Sequence, residues 1–132
     1  MYVTKGMLDK IILDLTLERD NLGEPKKRGK GRDYSKAEAD EFILDTYTIL
    51  ICKRLKVLIA KGPYSIDRVV QHLRSMDWSY YSFASKAYKG KELDDLMKIR
   101  YKKETETFFL SVQGVYLTEA SEAVSGILES YE

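Results

Sequence analysis

Residues 35–63 read SKAEADEFILDTYTILICKRLKVLIAKGP, from Ser35 to Pro63. This stretch decides the fold, because both of its ends carry helix punctuation. Ser35 and Glu38 form an S-x-x-E capping box, in which each side chain satisfies a backbone N–H of the other's segment. The acids Glu38, Asp40, Glu41 and Asp45 come early and the bases Lys53, Arg54, Lys56 and Lys61 come late, the order a helix dipole favours. Gly62 and Pro63 then supply a terminator and a residue that cannot continue the helix. The expected element is a helix over 36–61, about 39 Å long at 1.5 Å per residue. Its middle, Tyr47 to Cys52, is rich in β-branched residues and competes as a strand. The well-marked ends decide for helix.

Upstream, Leu8, Ile11, Ile12, Leu15 and Leu22 recur at helical spacing and predict a first helix from Gly6 to Leu22. Gly23 offers a left-handed terminator and Pro25 a stop. Residues 24–34 have no periodicity and are expected to be a mobile, exposed basic loop. Downstream, Ser65 can cap a third helix with Ile66, Val69, Val70 and Leu73 on one face. Asp77 can cap a fourth, carrying Trp78, Tyr81, Phe83, Ala84 and Tyr88. From Glu92 a stripe runs through Leu93, Leu96, Tyr101, Phe108, Val112, Tyr116, Ala120, Ala123 and Ile127 to Tyr131. It reads as one helix over 92–131 or as two with a break near Lys103. The expectation is an all-α single domain spanning 1–132, a bundle of five or six helices built around the two long ones.

The composition, 44% hydrophobic and 33% charged, suits a folded globular chain. Its net charge of +1 conceals strong sorting. Residues 25–36 hold six Lys/Arg against one Asp, whereas residues 104–132 hold six Glu and no base. Sorting of this kind points to electrostatic recognition rather than to chemistry. A lone Cys permits no internal disulfide, and no stretch is apolar for long enough to suggest a signal peptide or a membrane span. A cytoplasmic protein is expected.

Reactive groups are scarce. With one His and one Cys, a structural Cys/His zinc site within one chain is excluded. A Cys-His nucleophile would need Cys52 to meet His72. The segment GEPKKRGKG (23–31) fails as a phosphate loop: five residues separate Gly23 from Gly29, Gly31 stands where Ser or Thr is needed, and a helix precedes it. The acids Asp40, Glu41 and Asp45 read as a solvated face or as dipole partners. No catalytic residue, cofactor or metal is expected, and the chain is read as a non-enzyme.

Binding remains. The first expectation is a helical interaction protein of adaptor or inhibitor type that docks on another protein. Its surface would combine Glu104, Glu106, Glu119 and Glu122 with the anchors Trp78, Tyr80 and Tyr81, aromatics being frequent hot spots. The alternative is DNA or RNA binding by the loop Lys26, Lys27, Arg28, Lys30 and Arg32, joined by Lys86, Lys89, Arg100, Lys102 and Lys103. A line of small residues, Ser111, Gly114, Thr118, Ser121 and Ser125, would let the last helix approach a second copy closely, giving a homo-oligomer.

Overall fold

A computed structural model of the chain describes residues 1–23, 34–78 and 104–132, except for the side chains of 104–114. Among these residues the fold is all-α, with four helices and no strand. They are α1 (Lys5–Asp20), α2 (Lys36–Ile59), α3 (Ile66–Ser75) and α4 (Glu104–Glu129). Helix α2 packs between α1 and α4, and α4 in turn packs between α2 and α3. None of the described helices is long and apolar enough to cross a membrane.

Local chemistry explains each boundary. Thr4 caps α1 by accepting from Met7 N at 3.2 Å, and Gly23 just beyond the helix takes φ 78°, the left-handed geometry expected of it. The capping box of α2 is complete: Glu38 N donates to Ser35 Oγ at 3.2 Å, and Ser35 N donates to Glu38 Oε1 at 3.1 Å. Ser65 caps α3 by accepting from Arg68 N at 3.1 Å, and Ile66, Val69, Val70 and Leu73 form its buried face as expected. The N-terminal strand-like residues tie down the α2–α3 turn, Val3 N donating to Tyr64 O and Ile66 N to Met1 O, both at 3.0 Å.

The strand-like middle of α2 is helical and buried from Thr46 to Cys52 without a break. Being covered on two sides by α1 and α4, it needs no polar face, so the usual apolar periodicity disappears. Its threonines are reconciled with a dry helix because Thr46 Oγ1 donates to Phe42 O and Thr48 Oγ1 to Leu44 O, each at 2.7 Å.

The last helix departs from its expected face. Tyr116 and Ala120 are buried, but Ala123 and Ile127 are exposed, and Leu117, Ser121, Val124, Ser125 and Leu128 are buried instead. The reason is that α4 serves two neighbours, α2 and α3, so its inner face is broad and includes the serines. The helix expected from Asp77 lies outside the described residues beyond Trp78, as do the break expected near Lys103 and residues 24–33 of the loop expected over 24–34. Tyr34, the last residue of that loop, is buried rather than exposed, its ring 5.6 Å from that of Phe42 and its hydroxyl donating to Gly23 O.

Candidate functional site

A recess lined largely by acids lies where the end of α1, the first turns of α2 and the middle of α4 meet. It holds about 400 Å³ and is lined by Glu18, Asp40, Glu41, Asp45, Tyr116 and Glu119, with Leu44 and Val115 at its edge. Glu41 and Asp45 are four residues apart on α2 and so share a helical face. The register of α1 brings Glu18 to them across the helix pair. One carboxylate oxygen from each of Glu18, Glu41 and Asp45 lies within 4.8 Å of the others.

These acids differ in environment. Glu18 is exposed and Glu41 half-buried, whereas Asp45 is 5% exposed. Its Oδ2 has no hydrogen-bond partner among the described residues. Burial pushes the Asp45 carboxyl up to about 7, the negative charges of Glu18 and Glu41 add to the rise, and the guanidinium of Arg19 opposes it. Glu18 is also raised, first because its carboxyl hydrogen-bonds to Glu41, then by partial burial. Arg19 is itself buried, donating Nη1 to Thr46 Oγ1 at 3.1 Å and lying 5.2 Å over the Phe42 ring. On the far wall, Tyr116 donates its hydroxyl to Asp40 Oδ1 and stacks on Tyr47 at 6.5 Å between ring centroids. Lys36 Nζ lies 3.3 Å from Asp40 Oδ2.

Asp45 is therefore not part of a solvated acidic face, as its neighbours in sequence suggest, but a buried acid. A signal for this was present: it is the only charged residue between Phe42 and Cys52. Nothing in the sequence places Glu18 beside it, because that depends on how α1 lies against α2.

The other residues singled out from sequence fall in several places. Glu119 lines the acidic recess. Glu122 points elsewhere, pairing with Arg74 of α3 at 3.0 Å, and the same guanidinium reaches Glu129 at 2.7 Å. Trp78 is 5% exposed and donates Nε1 to Leu73 O at 3.3 Å, so it belongs to the core rather than to a presented surface. In the small-residue line Thr118 is exposed, but Ser121 and Ser125 are buried within the chain, and Ser121 Oγ donates to Leu73 O. At Ser121 that side of α4 meets α3. Glu104, Glu106, Ser111 and Gly114 lie on α4, in the part whose side chains are not described. Tyr80, Tyr81, the loop bases Lys26, Lys27, Arg28, Lys30 and Arg32, and Lys86, Lys89, Arg100, Lys102 and Lys103 lie outside the described residues.

Cys52 is fully buried, and burial raises its thiol to about 12, which leaves essentially no thiolate at neutral pH. His72 is exposed and lines a different cavity of about 270 Å³ with Arg54, Leu55, Lys61 and Trp78, to which Cys52 does not contribute.

No protein-family model, curated protein or solved structure matches this chain.

Proposed function

We propose that this protein works by contact, as a non-enzymatic helical interaction protein of adaptor or inhibitor type that binds a basic segment of another protein. The observation that carries the reading is the recess between α1, α2 and α4, where Glu18, Asp40, Glu41 and Glu119 surround Tyr116 and Val115 is 59% exposed at the edge. One sign of charge in a concave site raises the local concentration of oppositely charged groups and steers their approach. The apolar edge and the tyrosine add contact area once the partner has arrived. The inertness of Cys52 removes the nucleophile best placed to argue for turnover. A cytoplasmic location, and a whole-chain bundle of five or six helices with the further ones in 79–103, belong to the same reading. Ser121 and Ser125 take no part in self-association in this reading, since both are buried within the chain.

The test is fluorescence anisotropy of a labelled Lys/Arg-rich peptide, with an acidic peptide of the same length as control. The basic peptide is expected to bind, to weaken as salt is added, and to lose about tenfold in affinity, or about 1.4 kcal/mol, against Glu119→Lys. Equal binding of both peptides, or no change in the variant, overturns the reading.

A further inference from the structure

We propose that the inner end of the acidic recess is a binding site for a hard divalent cation, Ca²⁺ by size, held by the carboxylates of Glu18, Glu41 and Asp45. The three contributing oxygens lie within 4.8 Å of one another. Three oxygens spread evenly round a Ca²⁺ ion at bonds of roughly 2.4 Å stand about 4.2 Å apart, so atoms within 4.8 Å of one another need only a small side-chain adjustment to share one ion. A ligand set made only of carboxylates selects oxygen-seeking cations over zinc or copper, which favour nitrogen and sulfur.

An acidic cluster alone is commonplace on protein surfaces. What separates this one is Asp45, which is 95% buried by its 5% exposure and whose Oδ2 lacks a hydrogen-bond partner among the described residues. A buried carboxylate is ordinarily paired, and here the nearby positive charge, Arg19, is directed to Thr46 Oγ1 and to the Phe42 ring. Once ionised, the three acids outnumber the one guanidinium beside them. A cation between Asp45, Glu41 and Glu18 offsets that charge and gives the orphaned side chain a partner. Glu18 is exposed, so the site opens to solvent, water can complete the coordination, and the ion can enter without unfolding. With two helices supplying ligands and no dedicated loop wrapped around the ion, the affinity expected is that of weak sites, about 10⁻⁴ to 10⁻³ M.

This inference goes beyond the docking reading and does not rest on it. Glu119 lies on the wall of the recess and outside the three-oxygen cluster, so Glu119→Lys tests docking while Asp45→Asn tests the ion. The experiment uses the full chain after chelator treatment. Isothermal titration with CaCl₂ and with MnCl₂ is run against NaCl at matched ionic strength, and Tb³⁺ luminescence excited through tyrosine gives an independent readout, Tyr116 lying in the same recess. Saturable binding of one ion per chain is expected. Asp45→Asn and Glu41→Gln should each weaken it about tenfold or more, and Glu119→Gln should leave it within about twofold. Thermal melting of each variant without added ion verifies that it is folded, so a lost titration in a folded Asp45→Asn protein reports the ligand. Uptake that does not saturate, that NaCl suppresses equally, or that Asp45→Asn leaves unchanged overturns the proposal.

Discussion

Ser121 on α4 donates its hydroxyl to the carbonyl oxygen of Leu73 on α3 at 3.1 Å, inside the contact between the two helices. The same oxygen accepts Trp78 Nε1 at 3.3 Å. Leu73 lies in the last turn of α3, where carbonyls run out of intrahelical donors, and one side chain from just beyond that helix and one from α4 satisfy it. Ser121→Ala should lower the unfolding free energy by about 1 kcal/mol or less, since Trp78 still serves the carbonyl. Ser121→Leu should cost more, about 1–3 kcal/mol, because the added volume drives α3 away from α4. Urea titration followed by circular dichroism measures both. Equal stability of Ser121→Leu and the native chain would contradict this packing.

The capping box of α2 makes a second test. Ser35→Ala removes the acceptor for Glu38 N and should cost about 1 kcal/mol. Glu38→Ala frees Ser35 N and should cost less, because that backbone group is exposed and water can replace the lost partner. The two bonds form one reciprocal unit, so the double variant should lose less than the sum of the singles. A strictly additive result would mean the two halves act independently.

How much of this was legible without coordinates follows from which forces are local. Caps, dipole ordering and the amphipathic face of α3 depend on neighbours three or four residues away, so Ser35, Gly23, Ser65 and Leu73 all announced their roles. The middle of α2 was ambiguous because helices on two sides strip away its polar face. The face of α4 differs from the one its spacing predicts for a related reason: Ser121 and Ser125 look like surface residues until the neighbouring helices enclose them. Of the acidic recess, Glu119 is legible as part of a charged helix, whereas Asp45 reads as one acid of a solvated face, although its place in an apolar run carries the signal of burial. Its assembly with Glu18 depends on the register of α1 against α2, which pairwise spacing within one helix cannot encode.

Cys52 should be unreactive in the folded protein. Its side chain is fully buried and its thiol is raised to about 12, so neither access nor thiolate is available between pH 7 and 9. An aromatic disulfide reagent should label it at a rate limited by unfolding, and fully once urea is present. Fast stoichiometric labelling of the native chain at pH 8 would mean that this part of α2 opens readily or is not the interior.

The last prediction concerns Asp45 in ion-free protein with chelator present. Its carboxyl is raised to about 7 in the fold, from an ordinary value near 3.8, chiefly by burial and then by Glu18 and Glu41. A raised carboxyl means that the folded state keeps a proton the unfolded chain has already released. Its contribution to stability is therefore complete below about pH 4 and is lost as the pH climbs to about 7, at no more than about 1.4 kcal/mol per pH unit for one proton. Glu18, raised through its bond to Glu41, shifts the balance in the same direction. Asp45→Asn cannot ionise, so it should be more stable than the native chain at pH 8, and the difference between the two proteins should shrink as the pH falls toward 4. Urea titrations of both proteins at several pH values isolate this group, since the other titrating residues are common to the pair. A difference that stays constant with pH, or a variant less stable than the native chain at pH 8, would show that Asp45 ionises without penalty and is paired with a positive group in solution.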